Sequence, residues 1–189
     1  MIDTIYALAE PYWHVRSGEI HVPASFALAQ RLLDALPEAD PLIVLPAILL
    51  HDVGYARVPE ETHHAGLQDA PGGWDADITR RHEIEGARLA REILARVGMD
   101  AERRARIVEI VDGHDSRLEA LSLEDAIVKD ADKLWRYTES GVRVTHVWVG
   151  RTPEAFMDYV EAKIDVWLFT APARVLARES LDAARACAY

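Results

Sequence analysis

Leu42-Ile43-Val44-Leu45-Pro46-Ala47-Ile48-Leu49-Leu50-His51-Asp52-Val53-Gly54 is the stretch on which the fold turns. As far as Leu50 it offers no polar face to solvent. A helix that is hydrophobic all round belongs at the centre of a domain. His51 and Asp52 therefore emerge from a core, where an unpaired ionised carboxylate is costly. A divalent cation shared by a neutral imidazole and a carboxylate removes that cost. Three more histidines and a later aspartate stand at wide spacings around this pair. The rest of the chain reads as the scaffold that gathers them.

The flanking segments are helical in pattern. Residues 2–16 carry Ile5, Leu8, Tyr12 and Trp13, interrupted by Pro11. A second helix is expected to open at His21-Val22-Pro23, with Phe26, Ala29, Leu33 and Leu36 at helical spacing. Asp40 is placed to cap the central helix, with Pro41 at its first position and Pro46 as a kink or late start. Residues 55–79 hold Pro59, Gly66, Pro71, Gly72 and Gly73 and read as a long loop, a lid candidate containing Trp74. His63 and His64 in it read as solvated.

Residues 78–97 give an apolar stripe of Ile84, Ala87, Ala90, Leu94 and Val97 before a terminating Gly98. In residues 101–114, Ile107, Ile110, Val111 and His114 share one face, so His114 points inward. Ser122 with Asp125 opens the helix that contains both Asp130 and Asp132. Both aspartates neighbour apolar residues, and periodicity does not choose between them. Residues 141–150 alternate Val142, Val144, His146 and Trp148, a strand-like pattern or an extended loop. Helices follow Thr152-Pro153 and Pro172, with aromatic residues that suit core or a subunit contact.

Taken in order, His21, His51-Asp52 with Gly54, His82-Glu83-Ile84-Glu85-Gly86-Ala87, Ile107 to His114 and Asp130-Ala131-Asp132-Lys133-Leu134 resemble the HD superfamily of metal-dependent phosphohydrolases. The resemblance implies an all-α HD-domain helical bundle of about seven to nine helices. It implies metal ligation by His21, His51, Asp52 and Asp132, the last because it precedes a basic residue and Leu. It implies a second ion at His82 and His114, with Asp52 bridging. Ligands of this kind suit Fe, Mn, Zn, Co or Ni. The implied reaction is hydrolysis of a small phosphate ester or nucleotide by a metal-activated water. Lys133, Arg136 and Arg81 are then expected at the phosphate, and Asp115 or Glu83 is expected to move protons. Asp52, Asp115 and Lys133 form the expected catalytic set. The same ligand set also resembles di-iron oxygenases of this fold, and a non-catalytic metal-containing sensing domain is the third expectation. Tyr55 stands where several hydrolases of the superfamily place Glu and others Lys, so no single substrate is implied.

Composition sets the outer bounds. A chain of 189 residues, half of them hydrophobic, is most simply one domain over 1–189, with a metal-binding core at about 15–140 and C-terminal helices 152–188 packed on it. The net charge of −11 argues against nucleic acid as a partner and leaves a small anionic, phosphorylated substrate open. A homo-oligomer also stays open. The run 42–50 is shorter than the ~20 apolar residues of a membrane span. The single Cys187 and the absence of a signal-peptide pattern point to a cytoplasmic protein.

Overall fold

In the computed structural model, which describes residues 1–66 and 75–187, the apolar run forms one helix and the other elements close around it. In chain order the helices are α1 (Ile2–Ala9), α2 (Gly18–Ala35), α3 (Pro41–Leu50), α4 (Ala76–Arg96), α5 (Ala101–Val111), α6 (Leu123–Leu134), α7 (Glu139–Trp148), α8 (Pro153–Glu161), α9 (Ile164–Trp167) and α10 (Ala171–Arg185). Short 3-10 segments lie at Glu10–Tyr12, Val53–Arg57, Glu60–Gly66 and Trp135–Tyr137. No strand occurs among the described residues, and all helices but α9 span eight residues or more. This is the all-α bundle that the sequence predicts.

α3 is the axis. Ile43, Val44 and every residue from Ala47 to Leu50 are fully buried, and the helix packs against α1, α2, α5 and α6. The Asp40 carboxylate accepts the Leu42 N–H at 2.8 Å and caps it. The helix runs through Pro46 as one element. The apolar cluster built on it extends from Ile5 to Ala184. No helix among the described residues is long and apolar enough to cross a membrane.

Four local expectations are corrected. Residues 141–148 are helical, not extended, and 149–150 form a turn. The Thr138 hydroxyl accepts the Gly141 N–H, and α7 buries Gly141, Val142 and Thr145, a helical face hidden beneath the apparent alternation. The face of α4 keeps Ala87, Ala90 and Leu94 of the expected stripe but is wider than it and leaves out Ile84. Thr79, His82, Glu83, Gly86, Ala87, Leu89 and Ala90 are buried, whereas Ile84 is 53% exposed. α2 begins at Gly18, so Pro23 lies inside it. Part of the supposed loop, Val53–Arg57 and Glu60–Gly66, is 3-10 helix. There His63 is buried, with Nε2 2.9 Å from the Val58 carbonyl, while His64 is exposed. Residues 76–79 of the proposed lid belong to α4, and residues 67–74, including Trp74, lie outside the described residues.

Candidate metal centre

Five elements deliver the polar cluster. α2 supplies His21, the end of α3 supplies His51 and Asp52, α4 supplies His82, the turn after α5 supplies His114 and Asp115, and α6 supplies Asp132. The buried face of each helix carries the side chain inward. His51 and His82 are fully buried, His114 is 1% exposed, and His21 and Asp132 are each 6% exposed.

The imidazoles form two pairs. His21 Nε2 lies 2.9 Å from His51 Nε2, and His82 Nε2 lies 3.3 Å from His114 Nε2. Asp52 stands between the pairs and divides its carboxylate. Its Oδ2 is 3.5 Å from both His21 and His51 Nε2, and its Oδ1 is 3.4 Å from His114 and 3.8 Å from His82 Nε2. Each pair also faces a second carboxylate. Asp132 Oδ1 is 3.2 Å from His21 and 3.6 Å from His51, and Asp115 Oδ2 is 3.7 Å from His82 and 3.9 Å from His114.

The opposite ring nitrogens decide what those Nε2 atoms are. His51 Nδ1–H donates to the Ile48 carbonyl at 2.7 Å, and His114 Nδ1–H donates to the Val111 carbonyl at 2.9 Å. A carbonyl only accepts, so both rings carry their proton on Nδ1, and Nε2 keeps a lone pair in the neutral form. The Ser25 hydroxyl lies 3.3 Å from His21 Nδ1. Outer bonds of this kind fix the tautomer and orientation of metal-binding histidines. Imidazole nitrogens facing one another across 2.9 Å, with carboxylate oxygens beside them, are a donor set for a cation. His21, His51 and Asp52 form one group able to hold a metal ion, and Asp52, His82 and His114 form another.

The electrostatics follow this geometry. Burial would raise the Asp52 carboxyl, but His51, His114 and His21 outweigh burial and hold it well below the usual carboxylate range. Asp132 is held low against burial by its bonds to His21 and His51. Burial opposes charge on His114, yet Asp52 and Asp115 push it up to about 9. Burial and the nearby His114 push His82 down to about 4. Neighbouring imidazoles so divided act as a coupled set.

A narrow cleft opens onto His21, Asp52, Asp115 and Asp132, walled by Trp135 and Trp148. Arg136 lines it, and Lys133 Nζ stands 4.0 Å from Asp132 Oδ2. Arg81 is exposed and does not line it, which removes it from the expected phosphate contacts. It sits on the outward side of α4, one residue before the buried His82. Glu83 also differs from expectation. Its carboxylate accepts the Asp115 and Ser116 N–H groups at 2.9 and 2.7 Å, the Ser116 hydroxyl at 2.6 Å and the Arg80 guanidinium. With its oxygens so occupied it anchors the turn that presents His114, and is not a free proton carrier. Asp130 points elsewhere and holds the start of α10.

Sequence reasoning missed Arg16 and did not place Trp148, both of which line the cleft. Neither has a periodic signal. Arg16 lies in the connection between α1 and α2, and Trp148 lies in the segment that resembles a strand.

A family model described as HD domain matches residues 19–136. No curated protein and no solved structure matches the chain.

Proposed function

Because the chain belongs to the HD-domain family, we propose that it is a metal-dependent phosphohydrolase that cleaves a small phosphate ester, with nucleotides among the candidate substrates. The observation that carries this reading is the division of Asp52, one oxygen toward each histidine pair. Such a carboxylate suits two adjacent ions, and the N/O donors suit Fe, Mn, Zn, Co or Ni. Bound there, divalent cations would supply Lewis acidity toward a phosphoryl oxygen and lower the pKa of an attacking water.

The protein side chains would do the rest. His21, His51, Asp52 and Asp132 would hold one ion, and Asp52, His82 and His114 the other. Lys133 and Arg136 sit at the cleft and would meet the negative charge of a phosphate and the charge that grows in its transition state. Asp115 keeps a carboxylate oxygen directed at the second histidine pair, where it would take or return a proton. Trp135 and Trp148 would restrict bulk water around the reacting group. The net charge of −11 disfavours a long phosphate backbone as substrate, whereas a local cationic site accepts a small anion.

Purified protein reconstituted with Mn, Co, Ni, Zn or Fe and offered a panel of phosphate esters tests the proposal. Phosphate release is expected with at least one metal. Asp52→Ala is expected to lose both bound metal, measured by mass spectrometry, and turnover. Full turnover in that variant overturns the scheme. Oxygen uptake with Fe and no ester hydrolysis would instead assign an oxygenase, and silence in both assays with tight binding of a small anion a sensing domain.

A further inference from the structure

Arg16 reaches the cleft through an unusual backbone. The Gly18 N–H donates to the Val15 carbonyl, and between them Arg16 has φ 52° and Ser17 φ 57°. Among the described residues these are the non-glycine positions with positive φ. Left-handed backbone is disfavoured for such side chains, and where it is held it gathers at ligand sites. Gly18 permits the reversal, because a Cβ there would lie 2.5 Å from the Trp13 carbonyl oxygen.

The reversal sets the guanidinium against two aromatic rings. Its central carbon is 4.3 Å from the Tyr55 ring centroid and 5.3 Å from that of Trp148. Tyr55 is in turn stacked on His82, with centroids 4.1 Å apart and planes at 12°. Arg80, Arg103, Arg106 and Arg117 all pair with carboxylates. Arg16 does not: among the described residues no carboxylate oxygen lies within 4.0 Å of it, and its Nε is buried without a partner. Ring faces hold the cation by cation–π attraction and leave its N–H edge uncommitted. That edge matches two oxygens of a phosphate through parallel, charge-assisted bonds.

We propose that Arg16, clamped by Tyr55 and Trp148, is the substrate's anion receptor and binds two oxygens of the phosphate of a small phosphomonoester. This deepens the phosphohydrolase reading and rests on it. Arg16 lines the cleft together with His21 and Asp52, and its guanidinium edge supplies the fork that Lys133 lacks. Arg16 and Trp148 lie outside the matched segment 19–136 and Tyr55 within it, so the flanks bring the cation and one ring to the family core. The rival role for Arg16 is to balance Asp52, Asp115 and Asp132, which line the same cleft.

Titration calorimetry of inorganic phosphate into Mn-loaded protein, with metal content measured in parallel, separates these roles. Arg16→Met is expected to weaken phosphate binding by about 30-fold or more with metal content unchanged. Arg16→Lys keeps the charge and the stem, guards against a folding defect, and is expected to recover only part of the loss. Trp148→Ala is expected to weaken binding by about 3- to 10-fold. Unchanged phosphate affinity in Arg16→Met, or a change in metal content alone, overturns the proposal while leaving ester hydrolysis by the wild type intact. Phosphate binding that depends on Arg16 in a protein that hydrolyses no ester would uphold the receptor and remove the hydrolase. A wild type that neither binds phosphate nor hydrolyses an ester overturns both.

Discussion

Asp130 and Asp132 are two residues apart, on one helix, and both buried, yet they do unrelated things. Asp132 Oδ1 faces His21 and His51. Asp130 accepts the Phe169 N–H at 2.7 Å, the Thr170 N–H at 2.9 Å and the Thr170 hydroxyl at 2.7 Å, and so ties the start of α10 to α6. Periodicity could not separate them, because the partners that distinguish them are about forty residues downstream or on other helices. The family resemblance chose Asp132 by its Lys133-Leu134 neighbours, and the geometry gives a physical reason for that choice. Asp130→Asn presents an amide N–H₂ to backbone donors and is expected to cost about 2–3 kcal/mol. For a chain of this size that is a fall in Tm of roughly 4–12 °C, with bound metal retained. Asp132→Asn is expected to show the reverse: reduced metal content in mass spectrometry and a smaller change in Tm of the metal-free protein. Equal effects of the two substitutions on metal content would mean that their roles have been wrongly divided.

At the scale of elements, the centre depends on two pieces of backbone held in place by contacts that involve no metal ligand atom. The turn after Asp52 presses directly on α4: a Cβ on Gly54 would sit 1.9 Å from the His82 carbonyl oxygen and 2.5 Å from the Gly86 nitrogen. Backbone cannot swing aside as a side chain can. Gly54→Ala is therefore expected to cost about 3 kcal/mol or more by forcing α3 and α4 apart. Chemical denaturation would measure this, and a near-neutral result would show that the close approach is not needed. The second piece is the turn 113–117, braced from two sides. Lys129 Nζ donates to the carbonyls of Gly113, His114 and Arg117 at 2.7, 2.8 and 2.9 Å, while Glu83 gathers the N–H groups of Asp115 and Ser116. Burial would raise the Glu83 carboxyl, but His114 and the Ser116 and Asp115 donors carry it below its ordinary 4.5. A carboxyl lowered on folding adds stability that is complete above the unfolded value and fades as pH falls through the folded one. The stability gap between wild type and Glu83→Gln is thus expected to be widest near neutrality and to narrow below about pH 4.5 in denaturant melts across pH. A gap independent of pH would mean that the charge of Glu83 contributes nothing. The sequence disclosed the helices on either side of this turn, since apolar periodicity marks them. It did not disclose the brace, whose polar partners are 12 to 33 positions apart and follow no period. The same limit hid α7, where an alternation of valines lies across a helical face.

Across the whole molecule the polar centre and the apolar core are in tension. α3 drives burial of everything around it, and the price of its position is a set of carboxylates and imidazoles packed at the core's edge. The chain already carries a net charge of −11, so further uncompensated negative charge at that edge works against compactness. Divalent cations at the two histidine groups would neutralise Asp52 and Asp132 and at the same time tie α2, α3, α4, α6 and the end of α5 to common points. Ions that bind the folded chain and not the unfolded one stabilise it by mass action, by about 2.7 kcal/mol at a hundredfold excess over Kd. At roughly 2–4 °C per kcal/mol for a domain of this size, stripping the protein with a chelator is expected to lower Tm by roughly 5–11 °C. Readdition of Mn or Zn in excess of the chelator is expected to restore it. Asp52→Ala supplies the control, because that variant lacks the shared ligand and its Tm is expected not to respond to chelator. Were the wild-type melting curve equally indifferent, the histidines and aspartates would be held together by the bundle alone, and the metal-binding reading of the cleft would have to be given up.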